Sequence, residues 1–220
     1  MGLIPRRRGG FAAVERKTIV LGVAAYAVTA AALLAEFGRV WRKGSAPLPR
    51  ETDSVIDAVA EAAGETMAVA AIGYRETPRR ENALFNLLGS FSLSFSLARA
   101  ITYLLRRRSR FGPFHNLHIG ERHIHHFVPG ILLAFGAGAA AILTDNEEIE
   151  PRLALVFGTG MGLTLDESAL LLELDDVYWS REGVLSVQIT LAAMALISAS
   201  VLGLRFLRRG EQVVLDGSPA

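Results

Sequence analysis

Five histidines occur in this chain, and all of them fall between His115 and His126. Three stand in the run Arg122-His123-Ile124-His125-His126-Phe127-Val128-Pro129-Gly130, at the mouth of an apolar segment. An adjacent acidic pair, Asp166-Glu167, lies near the far end of the next apolar segment. Imidazole nitrogens and carboxylate oxygens hold zinc, iron or manganese where thiolates are missing, and the chain has no cysteine. Three histidines and an acid could leave one coordination position for water. The ion would acidify that water, and a second carboxylate could take its proton. On this reading His123, His125 and His126 are ligands, Asp166 is a ligand or supports one, and Glu167 is the general base. His115, His118, Glu173, Asp175 and Asp176 are secondary candidates. Arg99, Arg106, Arg107 and Arg108 would pair with acids or attract an anionic headgroup.

The same groups also support a reading without metal. A network of imidazoles, carboxylates and guanidinium groups can hold helices together, handle protons or cations, or sense pH, because histidine titrates near neutrality. Backbone geometry limits the metal reading. In one helix His123 and His126 share a side, whereas in an extended run His123 and His125 do.

Whatever these groups do, elements that cross a bilayer must position them. The chain has 220 residues, 51% of them hydrophobic, with a mean hydropathy of +0.33. Its apolar residues come in blocks near the ~20 residues that span a membrane, not in the alternating faces of a soluble domain. A net charge of +1 conceals arginines bunched beside those blocks. Such bunching orients a membrane protein and argues against a nucleic-acid partner. The missing cysteine excludes a disulfide framework and a thiol nucleophile.

In order, residues 1–17 form a basic tail, and Thr18 to Phe37 is the first apolar block. A cleaved signal peptide would also be basic and then apolar, but this block is longer than a signal core and ends in Arg39, Arg42 and Lys43. Residues 44–80 form a polar segment outside the bilayer. In it Asp53, Asp57, Glu61 and Glu65 make a stripe at helical spacing on a solvated helix, with Val55, Ile56, Val59 and Ala60 turned elsewhere. Four acids would be costly in lipid. Asn82 to Leu105 is the second crossing. Its serines at 90, 92, 94 and 96 allow close approach and bonds to neighbouring helices. Arg99 stands roughly 9 Å inside the end of this block at ~1.5 Å per residue, where it either snorkels or pairs with a buried acid. Pro129 to Thr144 and Pro151 to Leu172 are the third and fourth helices, each opened by a proline. Gly183 to Phe206 is the fifth, with a tail over residues 210–220. Tyr178 and Trp179 would lie at headgroup depth.

The third helix climbs about 24 Å and the fourth descends about 22 Å to Asp166. The acidic pair therefore returns to the level of the histidines. Gly158 and Gly162 form a GxxxG pair. With Gly136 and Gly138 they favour close packing of the third and fourth helices, or of two copies of the chain into a homo-oligomer. Gly158-Thr159-Gly160-Met161-Gly162 is not a phosphate loop, since the lysine is missing and no strand precedes it. The expected fold is thus an all-α bundle of about five transmembrane helices in the cell membrane. Arg106 to Arg108 and the amino terminus would be cytoplasmic, together with the histidines. Five crossings then put Arg205, Arg208 and Arg209 outside, against the rule that oriented the rest.

Arg122 to Gly130, Leu163-Thr164-Leu165-Asp166-Glu167-Ser168-Ala169-Leu170-Leu171 and Asp175-Asp176-Val177-Tyr178-Trp179 together resemble a family of uncharacterised actinobacterial polytopic integral membrane proteins. The resemblance runs from roughly Tyr74 to Arg209. It implies a bacterial cell membrane and transfers no activity. The His-x-His-His run is also similar to the boxes of membrane fatty-acid hydroxylases and desaturases, but those enzymes need several boxes and this chain has one histidine region. Two function classes follow. One is a metal-dependent, hydrolase-like enzyme acting on a lipid or amphipathic anion. The other is a non-enzymatic membrane protein built on a metal-free polar network.

Overall fold

The computed structural model describes residues 8–107, 118–119, 122–123, 127–171 and 181–215, with side chains over 19–101, 127–166 and 187–215. The described residues form six helices: α1 (Arg8–Lys43), α2 (Val55–Arg75), α3 (Arg79–Arg107), α4 (Phe127–Leu143), α5 (Glu150–Leu171) and α6 (Arg181–Val214). A minimal antiparallel ladder joins β1 (His118–Ile119) to β2 (Arg122–His123). Among the described residues three stretches are long and apolar enough to cross a membrane: Ile19–Lys43, Arg79–Ile101 and Val187–Val214. Phe127–Leu143 is a fourth, shorter apolar helix.

Pairwise contacts fix the relative directions of α1, α3, α4, α5 and α6. Thr29 Oγ1 meets Ser200 Oγ at 3.1 Å, and Arg39 meets Glu211 further along, so α1 and α6 run parallel. Phe85 packs on Phe206, while Arg99 reaches Gln188, so α3 opposes α6. Gly158 lies against Leu87 and Asp166 against Arg99, which makes α5 parallel to α3. Gly130 faces Gly160 and Thr164, so α4 opposes α5. Hence α1, α4 and α6 run one way and α3 and α5 the other.

Much of the outer surface of α1, α4 and α6 is apolar. Leu34, Leu132, Phe135 and Ile142 are among the most exposed residues. So much apolar area facing outward fits lipid, not water. The interior is made instead of small residues and aromatics. Phe91 and Phe95 pack with Ala192 and Ala195, and Val40, Val69 and Leu207 form a second cluster near the C-terminal ends of α1 and α6. Where helices must touch without a hydrophobic driving force, small side chains let backbones approach.

Several boundaries differ from the sequence expectation. Helix α1 begins at Arg8, not Thr18, because no proline interrupts a run rich in Arg, Ala, Glu and Lys, all compatible with a helix. Helix α4 starts at Phe127, two residues before Pro129. Proline is tolerated there because first-turn N–H groups have no intrahelical acceptor. Helix α6 passes Phe206 and continues to Val214, so Gly210 and Glu211 belong to it and not to a tail. His118–Ile119 and Arg122–His123 pair as a ladder where a plain connector was expected. The sequence signal is a glycine, Gly120, in a two-residue separation between paired segments.

The segment after α1 also folds differently in detail. Ser54 caps α2, its Oγ accepting from the Asp57 N–H at 3.4 Å, and Asp57 favours the first turn electrostatically. Asp57 and Glu61 are exposed as expected, and Glu65 accepts from the Ser45 N–H at 2.9 Å. Val55, Ile56 and Val59 lie outside the packed face, and Ile56 is 82% exposed. The buried face is Ala58, Ala62, Val69 and Gly73. Gly73 rests on the Phe206 carbonyl and Gly210 on the Val69 carbonyl, so α2 lies directly on α6. Only residues without a side chain permit that approach.

Candidate functional site

Helix α3 carries Arg99 one turn beyond Phe95, whose ring lies 5.4 Å from the guanidinium carbon. Helix α5 brings Asp166 beside it. Arg99 Nε is 2.7 Å from Asp166 Oδ1, and the Asp166 side chain is 2% exposed. Helix α6 closes the group with Gln188. Arg99 Nη2 donates to Gln188 Oε1 at 2.9 Å and to the Asp166 carbonyl at 3.2 Å. Gln188 Nε2 in turn donates to the Leu165 carbonyl. Three helices are thus bound through one cation, one carboxylate and one amide. In an apolar interior such groups are tolerated when charged and polar atoms satisfy one another. Of the two expectations for Arg99, pairing with a buried acid describes its contacts.

Of the convergence derived from an antiparallel hairpin, the described residues show the return of α5 to the start of α4. A Cβ on Gly130 would lie 2.7 Å from Thr164 Oγ1 and 2.9 Å from the Gly160 carbonyl oxygen, so the start of α4 sits near the level of Asp166. The ladder pairs His118 with His123. The backbones of Arg106, Arg107 and Glu167 lie in the last turns of α3 and α5, near that end. His115, His125, His126, Arg108, Glu173, Asp175, Asp176, Tyr178 and Trp179 lie outside the described residues, as do the side chains of His118, His123 and Glu167. Among the described residues no group of three or more His, Asp or Glu side chains is placed to hold a metal ion.

The glycine pair faces a different neighbour from the one expected. Gly158 and Gly162 pack on Leu87, Ser90, Phe91 and Ser94 of α3. Contact between α4 and α5 is made instead by Gly130, Ala134 and Gly160, with Gly138 against Phe157. These faces are occupied within the chain, while Gly136 has no neighbour within 4 Å. The α3 serines satisfy themselves on carbonyls of their own helix; Ser96 also meets the Tyr26 hydroxyl of α1.

Sequence reasoning missed a second ionic group at the opposite end. Glu211 of α6, 2% exposed in its side chain, lies 2.5 Å from Arg39 Nη2 and 2.6 Å from Lys43 Nζ of α1. Arg39 also contacts Glu36 at 2.6 Å, and Arg208 reaches Glu36 at 3.2 Å. The signal was Glu36, an acid inside an apolar block, which requires a partner in a membrane helix. Gln188 carried a weaker signal of the same kind. Each arginine that offended the orientation rule has a polar contact, Arg208 within this group and the other two outside it. Arg208 is paired with Glu36, Arg205 approaches Glu81 at 3.8 Å, and Arg209 donates to Thr77 Oγ1 at 2.7 Å.

Replacing Glu211 by leucine is expected to cost about 3 kcal/mol, the lower end of the range for breaking a buried pair, because Arg39 and Lys43 can still reach water. Glu211→Asp should recover part of the loss. Thermal unfolding of the detergent-solubilised chain measures both, and an unchanged Tm for Glu211→Leu contradicts the assignment.

Comparison with protein-family models, with curated proteins and with solved structures finds no match to this chain.

Proposed function

We propose that the chain is a multi-pass cell-membrane protein without a metal-centred active site, a membrane-embedded packing partner whose rigid core is locked by Arg99, Asp166 and Gln188. The single observation that carries this reading is the 2.7 Å contact between Arg99 Nε and the buried Asp166 carboxylate. A carboxylate held by a guanidinium is already neutralised, and a dication beside it would repel that arginine. Asp166 therefore acts as a counter-ion. The lock fixes the spacing of α3, α5 and α6 where the connectors carrying all five histidines and the Asp175-Asp176 pair begin and end. Its work is to hold that face of the membrane protein in one arrangement for whatever docks there.

Metal analysis of the purified full-length chain tests this. The expected result is far less than one equivalent of zinc, iron or manganese, and a Tm that EDTA does not move. One tightly held equivalent, lost in His118→Ala or Asp166→Ala, overturns it.

The metal-dependent enzyme keeps one specific support. The ladder sets His118 opposite His123, and the start of α4 lies near Asp166. A hydrolase acting on a lipid or amphipathic anion would use those histidines as ligands and Glu167 as base. The equivalent of metal that sinks the first reading would establish the basis of this one.

A further inference from the structure

Four cations gather around the C-terminal end of α1, three on the helix and Arg50 in the segment after it, and they divide into two sets. Arg39 and Lys43 are neutralised by Glu36 and Glu211. Arg42 and Arg50 have no carboxylate partner among the described residues; Arg42 Nε only donates to the Gly38 carbonyl at 3.0 Å. These two arginines line an open, mostly apolar groove of about 370 Å³ together with Gly38, Trp41, Leu48 and Pro49. Its wall is held in place. The Trp41 indole N–H donates to the Pro47 carbonyl at 3.0 Å, and Phe37 packs against the indole at 5.6 Å.

Position adds the second constraint. Trp41 stands at the end of the Ile19–Lys43 span, where an indole sits at headgroup depth. One turn and two turns back on the same helical face lie Gly38, with open space beside it, and Leu34, 70% exposed. An apolar slot that opens toward an acyl-exposed helix face and is rimmed by two uncompensated guanidinium groups matches one ligand chemistry. We infer that this groove binds an anionic phospholipid, its phosphate on Arg42 and Arg50 and its glycerol and upper acyl chain against Trp41, Gly38 and Leu34. Arginine forks suit phosphate oxygens, and each cation near a membrane surface adds to the attraction. A zwitterionic lipid lacks the net charge to balance two arginines.

The inference rests on the membrane placement proposed above, and it is independent of the Arg99 lock. The full-length chain is first tested for retention in carbonate-washed membranes; release into the soluble fraction overturns the placement and this site with it. Retained protein is then purified in detergent and its bound lipid measured by native mass spectrometry against added phosphatidylglycerol, phosphatidylcholine or inorganic phosphate. Phosphatidylglycerol is expected to be preferred over phosphatidylcholine, and Arg42→Gln/Arg50→Gln to lower its affinity roughly tenfold or more. Gly38→Leu, which fills the slot with the charges intact, should also weaken binding. Arg80→Gln, an exposed arginine outside the groove, should leave it unchanged. Equal retention of both lipids, full affinity in the double arginine variant, or displacement by equimolar inorganic phosphate each overturns the site.

Discussion

Replacing Arg99 by glutamine is expected to cost the chain about 3–5 kcal/mol of unfolding free energy, the range for removing one partner of a buried ion pair. The reason lies in an asymmetry of burial. Asp166 has 2% of its side chain exposed, whereas Arg99 has 39%. Losing the arginine strips a buried carboxylate of its cation, which is the costlier defect. Losing the acid in Asp166→Asn leaves a guanidinium that can turn outward along its flexible stem toward headgroups, so this variant should lose only about 2 kcal/mol. Changing both, in Arg99→Met/Asp166→Leu, removes the charges together and should restore much of the difference, since apolar replacements of buried pairs are often neutral. Reversible unfolding in mixed micelles measures all three. If Arg99→Gln and Asp166→Asn are equally mild, the pair is a surface contact and not a lock.

The second large effect is steric. Gly158→Ala and Gly210→Ala should each lose roughly 3 kcal/mol or more, at or above the upper end of overpacking costs, because the intruding methyl meets backbone. At Gly158 it runs into the Leu87 carbonyl and Ser90 Oγ; at Gly210 it runs into the Val69 carbonyl. Neither carbonyl can move without shifting a helix. Gly89 and Gly64 supply the control, since a Cβ at either meets nothing within 4 Å. Alanine there should be neutral or stabilising by up to ~1 kcal/mol through helix propensity. Tm values of the four variants decide it. Equal behaviour at all four positions would mean the close helix contacts contribute little.

Both predictions rest on contacts between residues far apart in the chain, and that separates what could be read early from what could not. Apolar block length and the arginines flanking each block already implied a helical membrane bundle, because lipid leaves the backbone few other ways to satisfy its hydrogen bonds. The antiparallel hairpin followed as well: α4 and α5 are joined by a short acidic loop, so Asp166 had to return toward the start of α4. Even the choice offered for Arg99 contained the right answer. What the sequence left open was the partner. Helical periodicity says which residues share a face, but not which neighbour that face meets. Gly158 and Gly162 were placed against α4 on that ground, and they pack on α3 instead. Nor did periodicity single out Ala58 and Ala62 as the buried residues of α2.

By itself, then, the sequence determined the helical class, the apolar outer surface and the stock of charges that must be neutralised, because these follow from local composition and the cost of burying charge. Only the tertiary structure decided that Gln188 completes the Arg99–Asp166 group, that Glu211 clamps α1 to α6, and that Arg42 and Arg50 meet no carboxylate among the described residues. The first depends on how α3, α5 and α6 meet and the second on the parallel register of α1 with α6, and no one-dimensional pattern encodes the meeting of residues 172 positions apart.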